Sequence, residues 1–389
     1  MALNTVSSDR LSTNVKNTNF TAAEKQDLTD DIKPLLGSSG GGSKNLIING
    51  AMQVAQRGTV TGITSSTYAG PDRFRFGVGS HGTFTVSQDG SAPTGSGFAN
   101  SLKLDCTTAD TSVASGTAVY FQHKLEGQDC QRIKKGTSSA EQLAVQFHVK
   151  SNKTGTYAFQ LSDNDNSRSF TTTYSISSAD TWEKKTIIIP ADTTGALDDD
   201  NNVSLTFNFW LVAGTDYTSG AASTTWYSHV NANAAKGHAV NIADSTSNEW
   251  YMTGFQVETG SVHTDFEHRS FHDEMQRCRR YYLRLIDGTQ QAVANFTGFT
   301  ATSGYSMITA PVQMRSTPTL VQSTGTDYYR ALFVNGQTDF FDGFYAVWKA
   351  HKNIITISVD GQNISHGPTA SFFVNSNNAS ASLAFNSEL

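Results

Sequence analysis

The sequence is short of charge. Asp, Glu, Lys and Arg make up 16% of its 389 residues, against roughly 25% in an ordinary soluble domain. The net charge is −6 and the pI about 5.9, which excludes a broad basic nucleic-acid surface as the main business. Cysteine is scarce too. Cys106, Cys130 and Cys278 are an odd, widely spaced set, neither a disulfide framework nor a zinc site, and they fit a chain made in a reducing cytoplasm. With 7 prolines, and 32 glycines in no triplet period, neither collagen nor a Pro-rich linker is available. No apolar run approaches the ~20 residues that span a bilayer. Met1–Asn4 opens without a basic or apolar leader, so no secretory signal is expected. Walker, HExxH, GxSxG and CxxC patterns are absent, which removes the usual sequence handles on catalysis.

Ser, Thr, Asn and Gly take the place of charge, with 11% aromatics, a composition of strands and turns. Residues 1–44 are the exception. Thr21 and Glu24 form a capping box, and Leu28, Ile32 and Leu35 follow as one apolar stripe. A helix is therefore expected over about 22–33, limited by Pro34. A Gly/Ser linker at 37–43 follows. So short a helix needs a partner to bury its stripe, and Leu28, Ile32 and Leu35 are the candidate docking residues.

Residues 45–268 read as all-β. Leu143, Val145, Phe147 and Val149 alternate with polar neighbours, and Leu205, Phe207, Phe209 and Leu211 alternate with Thr206, Asn208 and Trp210. Such alternation gives a strand with one face buried. Among the expected strands are Asn45–Asn49, Arg73–Gly77, Thr83–Ser87, Ala118–Lys124, Val203–Val212 and Glu249–Glu258. Many short strands with turn clusters between them predict a sandwich or jelly roll. Residues 269–286 change period: Ser270 caps a helix, and Phe271, Met275, Cys278, Tyr282 and Leu285 make a short heptad-like seam. That seam either packs on a neighbouring sheet or joins copies of the chain. Residues 287–389 are β-rich again, a second, smaller β-sandwich domain with strands such as Phe340–Trp348 and Ile354–Val359.

The run Asn45–Gly58 resembles the start of a family of phage virion and tail-fibre proteins, as does Tyr68-Ala69-Gly70-Pro71-Asp72-Arg73-Phe74. A second block matches better: Tyr251–Ser261, then Thr264–Ser270, running into Glu274 and Cys278-Arg279-Arg280-Tyr281-Tyr282. Asp265 and Arg279 stand where that family usually carries proline and glutamine. Pro311–Pro318 and the segment Ala384–Leu389 also look like the family. The first domain is similar in layout to carbohydrate-binding jelly rolls, with Asn45–Gly50 and Tyr251–Glu258 as the paired first and last strands and Thr181–Thr186 as a tryptophan strand.

The resemblance implies a virion appendage. Residues 1–44 would dock to other virion proteins, the jelly roll would be the body, and 287–389 the tip, in a homotrimer that meets a host surface glycan. No nucleic-acid contact or membrane insertion is expected. Two other functions stay open: a structural or decorating virion protein, and a glycan-depolymerising appendage, for which no carboxylate pair can be named.

Sugar binding needs aromatic faces and orienting polar groups. Trp210, Trp226, Tyr227, Tyr328 and Tyr329 are the candidates, core packing being the competing reading of each, and Trp182, Trp250 and Trp348 are assigned to the core. Asp163, Asp165, Asp198 and Asp200 offer hard oxygen ligands of the kind calcium takes, without the glycine and distal glutamate of an EF-hand. No cofactor is expected otherwise.

Overall fold

The computed structural model describes residues 43–298, 303–332, 336, 338–359 and 372–389. The expected docking residues Leu28, Ile32 and Leu35 lie outside them, as does the side chain of Trp348.

The protein is mainly β. Strands β1 (Val60–Tyr68), β2 (Phe74–Asp89), β3 (Ser101–Thr108), β4 (Ala118–Glu126), β5 (Leu143–Ser151), β6 (Gly155–Asp163), β7 (Arg168–Ile176), β8 (Glu183–Ile189), β9 (Val203–Ala213), β10 (Tyr227–Ser228) and β11 (Glu249–Thr259) form one antiparallel sheet. Its order is β10-β7-β6-β9-β4-β2-β3-β11-β5-β8, with β1 beside β2. The sheet curls so that its halves face each other. Phe121 of β4 stacks on Trp250 of β11 at 5.6 Å, and Phe209 of β9 meets Phe147 of β5 at 5.1 Å. The alternation seen in the sequence explains the packing. Phe76, Phe121, Phe209 and Phe159 lie in register across β2, β4, β9 and β6 and turn inward, all fully buried. The residues between them must then face outward.

Short helices α1 (Gly127–Cys130) and α2 (Thr215–Thr218) sit in the loops, and α3 (Phe271–Arg279) leads out of the first core. Beyond α3, β12 (Tyr282–Asp287), β15 (Thr319–Gln322) and β21 (Ser382–Asn386) make a three-stranded sheet. A seven-stranded sheet holds β13 (Ala292–Gly298), β14 (Gly304–Thr309), β16 (Tyr329–Leu332), β17 (Thr338–Phe341), β18 (Ala346–Ala350), β19 (Ile354–Val359) and β20 (Phe372–Ser376). Leu283, Phe296, Ile355, Ile357 and Leu383 belong to a second core, separate from the first.

Four sequence expectations change. Asn45–Gly50 is not a ladder strand. It touches β11 through Leu46 N–H to Val257 O and Phe255 N–H to Gly50 O, but Asn49 and Met52 have positive φ. Gly50 is pressed so closely on β11 that a Cβ there would stand 2.0 Å from Phe255 O. β2 is one strand where two were expected. The expected strand Phe340–Trp348 is two, because Phe341 and Phe344 both turn inward to meet at 5.4 Å across the intervening turn. The helix expected to reach residue 286 ends at Arg279. Tyr282 and Leu285 stand on β12, whose backbone pairs with β21 instead of continuing a helical seam.

The junction between the two cores gathers sequence blocks far apart in the chain. Buried Glu126 accepts hydrogen bonds from Arg280 Nε at 2.8 Å, Arg280 Nη2 at 2.6 Å and the Tyr281 hydroxyl. Arg73, also buried, lies 3.4 Å from the centre of the Tyr281 ring and pairs with Glu388. Arg57 reaches the other oxygen of Glu388 at 3.2 Å. The segment ending in Glu388 and Leu389 is thereby fastened against β2 and β4.

Candidate functional site: a polar row on the outer face of the sheet

Behind the phenylalanine row runs a polar one. Arg75 is in register with Gln122, Gln122 with Asn208, Asn208 with Gln160, and Gln160 with Thr171. From Arg75 to Gln160 their side chains bond in sequence. Arg75 Nη1 donates to Gln122 Oε1 at 2.9 Å, Gln122 Nε2 to Asn208 Oδ1 at 2.8 Å, and Asn208 Nδ2 to Gln160 Oε1 at 3.2 Å. At the far end Thr171 Oγ1 and the Tyr227 hydroxyl share a 2.6 Å hydrogen bond, and Tyr227 also donates to Asn233 O. The row goes from half-buried at Arg75 and Gln122 to covered at Asn208 (6% exposed) and Gln160 (3%). Buried amides must be paired, and here they pair with each other, which fixes their orientation.

Strand β4 brings three chemistries to the open end. Tyr120, Gln122 and Lys124 alternate with inward Val119, Phe121 and His123. The Tyr120 ring lies over Gly77, where a Cβ would come within 2.2 Å of the ring. That glycine makes room for the ring to lie along the sheet. Lys124 Nζ donates to the main-chain oxygen of Leu389, the last residue of the sequence, at 2.9 Å. Burial, with help from Arg75 and Arg73, pulls its pKa down to about 8.

Of the aromatics named from the sequence, Tyr227 alone bonds directly to the row. Trp210 is on the outward face as expected, yet it is only 4% exposed. Tyr120, Tyr217, Ala234 and Ala235 pack on it, so it has no face for a sugar. Trp226 leans on the first core and donates Nε1–H to Pro190 O at 2.8 Å. Tyr329 is wholly buried in the second core and Tyr328 packs against it, so Tyr329 is corrected from surface candidate to core. Trp182, assigned to the core, is half-buried on the outside, 6.2 Å from Tyr251.

The seam also disperses. Phe271 is exposed, while Cys278 packs with Ile48, Val54, Tyr281 and Met275. The acidic runs are occupied from within. Asp163 pairs with Lys135 at 2.6 Å, Asp165 accepts the N–H of Asp198 at 3.0 Å, and Asp200 accepts that of Asn202 at 2.8 Å. Among the described residues no group of three or more His, Cys, Asp and Glu is placed to hold a metal.

Away from the row, a recess of about 660 Å³ opens beside α3 and is lined by Glu267, His268, Arg269, Asp273, Arg277 and Arg280 among others. Two of its arginines are committed inside the protein, Arg269 to Glu274 and Arg280 to Glu126.

Gln122, Gln160, Arg75, Lys124 and Tyr120 were not singled out from the sequence. The signal present was the alternation of β4 and β9, which marks Gln122 and Asn208 as outward. What it lacks is the neighbour relation between strands.

No helix among the described residues is long and apolar enough to cross a membrane. No known protein-family profile matches the chain, and no curated protein is similar to it in sequence. Solved structures with partial likeness include the enzymatically active domain of tailspike protein 4 of bacteriophage CBA120, at 12% identity over 56% of this chain and a TM-score of 0.29. The matched region spans 21% of that tailspike chain. A putative sugar binding protein from Bacteroides thetaiotaomicron is similar at 11% identity, over 55% of this chain and 99% of its own, with a TM-score of 0.31. A family 11 carbohydrate-binding module of a Clostridium thermocellum cellulosomal cellulase is similar at 11% identity, over 52% and 98%, with a TM-score of 0.27. At such identities and scores the likeness carries no ligand or activity over to this chain.

Proposed function

We propose that the chain is a glycan-binding appendage protein of a phage virion, with the open end of the polar row, Arg75 and Gln122 beside Tyr120 on β2 and β4, as its sugar-binding floor. The observation that carries this is the row itself beside Tyr120. Amide groups held in fixed orientation offer donors and acceptors to sugar hydroxyls, and a ring laid along the sheet offers an apolar face to a pyranose. The virion setting rests on the sequence blocks described above. Attachment through residues 1–44 and a tip role for 287–389 follow from the same likeness. So does a trimer, since α3 stops short of the seam that suggested it; a monomer by light scattering overturns that part.

The test is binding of the purified protein to host cells and to polysaccharide extracted from them. Saturable binding, weakened at least tenfold by Gln122→Ala, supports the reading. Binding that survives Gln122→Ala and Tyr120→Ala together places the glycan elsewhere, and no binding to cells or polysaccharide favours a structural virion role. Release of reducing ends from the polysaccharide would make the appendage a depolymerase.

A further inference from the structure

Lys135 stands just after α1, Asp163 closes β6, Arg168 opens β7 and Asp192 lies in the loop after β8. The fold brings the four together inside the first domain. Lys135 Nζ is 2.6 Å from Asp163 Oδ2 and 3.0 Å from Asp192 Oδ2, and the three side chains are 2%, 0% and 5% exposed. In every other lysine–carboxylate pair among the described residues both side chains are at least 17% exposed. The Trp226 ring lies over Nζ at 5.1 Å, an apolar cover on one side.

The two carboxylates are not equivalent. Asp192 is held through both oxygens by Arg168, Nε to Oδ2 at 2.7 Å and Nη2 to Oδ1 at 3.0 Å. Asp163 has no cation besides Lys135 among the described residues. Its Oδ1 instead accepts the main-chain N–H of Asp165 at 3.0 Å and of Asn166 at 3.1 Å, with Asn166 Nδ2 at 3.2 Å. An amine in contact with one carboxyl oxygen, with N–H donors fixed on the other, is the arrangement that attack on the carboxyl carbon requires. Asp192 supplies a second carboxylate at the same nitrogen, able to carry a proton.

The energetics point the same way. Two charges taken out of water are costly to keep, and an amide between them removes both. The pair left behind, Arg168 and Asp192, stays matched. The other two donors of Lys135 go to Thr194 O at 2.8 Å and Gly195 O at 3.0 Å. Those carbonyls belong to a surface loop in which Thr193 and Thr194 are exposed, so water can serve them once the ammonium is gone.

We infer that Lys135 and Asp163 condense into an intramolecular amide, a covalent staple made by the folded chain itself. Nζ first gives a proton to Asp163 Oδ2, leaving a neutral amine and a neutral carboxyl. The amine lone pair forms the N–C bond at Cγ while charge collects on Oδ1 under the Asp165 and Asn166 N–H groups. Asp192 takes a second proton from the nitrogen and delivers it to Oδ2. The Cγ–Oδ2 bond breaks and one water leaves. Nothing is oxidised or reduced, no other reactant is needed, and Asp192 ends as it began. The product ties the segment after α1 to the end of β6 by a bond that unfolding does not break.

The experiment is the intact mass of the purified full chain, read beside Lys135→Arg prepared in the same way. Arginine keeps a cation between the carboxylates and is not a nucleophile. Wild type is expected to be lighter than its sequence mass by one water, and Lys135→Arg to have its full sequence mass. Asp163→Asn should be lighter by one ammonia, the leaving group of the same bond formed from an amide. Peptide mapping of the denatured wild type should give the Lys135 and Asp163 peptides joined. Each protein is checked by thermal melting, and cooperative melting of wild type at its full sequence mass overturns the staple. Loss of water that persists in Lys135→Arg belongs to another site, such as ring closure at an Asp-Gly step, and overturns it too. A joined peptide that carries Asp192 in place of Asp163 overturns the choice of carboxylate.

Discussion

Gln122 and Asn208, 86 positions apart in the chain, join by a 2.8 Å amide-to-amide hydrogen bond on the outer face, while Phe121 and Phe209 stand in register on the inner face of the same two strands. The apolar pair supplies burial and the polar pair supplies a fixed orientation. Asn208→Leu keeps the volume roughly constant but strands Gln122 Nε2 and Gln160 Oε1. The expected loss is ~1–3 kcal/mol, the usual cost of unpaired buried polar groups. Urea unfolding measures it, and an unchanged midpoint would show that water or a rotated neighbour replaces the amide.

Tyr120 gives a cleaner separation of binding from stability. In Gly77→Ala the new Cβ would occupy space now held by the Tyr120 ring, 2.2 Å away. Gly77 is not among the residues of positive φ, so backbone strain does not enter. The ring must swing off the sheet. Glycan binding should fall about tenfold or more, as for loss of a stacking face, while thermal stability changes little. If affinity holds and only stability falls, Tyr120 is packing and not a platform.

Much of the fold could be read from single strands. Phe207 and Phe209 against Asn208 set the two faces of β9, and Ser270 with Asp273 set the start of α3, where Ser270 Oγ indeed accepts the Asp273 N–H at 3.1 Å. The binding row could not be read, because it is a property of strand order. Gln122, Asn208 and Gln160 come together only because β9, which follows both β4 and β6 in the chain, lies between them in the sheet. Trp210 shows the same limit. Period 2 places it outward, but Ala234 and Ala235 cover it from a loop with no period at all. Tyr282 and Leu285 failed differently, since a spacing of three or four is equally available to a helix followed by a strand.

The junction at Glu388 should behave as a latch. Arg73 is buried and pairs with Glu388, whose removal leaves that guanidinium with the Lys124 carbonyl at 2.8 Å and the Tyr281 ring. Glu388→Ala is therefore expected to cost ~3–5 kcal/mol, as for a buried charge stripped of its partner. The loss should be concentrated where the two cores meet. Calorimetry would detect it as one unfolding transition separating into two. A single transition at the wild-type temperature would mean that Arg280 and Glu126 hold the junction alone.

Asp72 makes the same region sensitive to pH, in the sense opposite to most carboxylates. Burial is the main cause that raises its pKa from 3.8 to about 6; Arg57, 3.9 Å away, and the bond from Gln56 only partly oppose it. A group that holds its proton more tightly when folded stabilises the fold most below its unfolded pKa, and that contribution is lost as pH rises through the folded one. From pH 4 to pH 7 the loss is roughly 2 kcal/mol. Glu126 acts in the other direction. Its own burial is outweighed by the bonds from Arg280 and Tyr281, so its pKa is lowered and its contribution disappears as pH falls. The two are separated by comparing wild type with Asp72→Asn across pH 4–8 in urea. The difference in unfolding free energy should favour wild type most at the acid end and shrink toward pH 7. A difference that is flat with pH would mean that Asp72 titrates alike in the folded and unfolded chain, and that Arg57 compensates its burial in full.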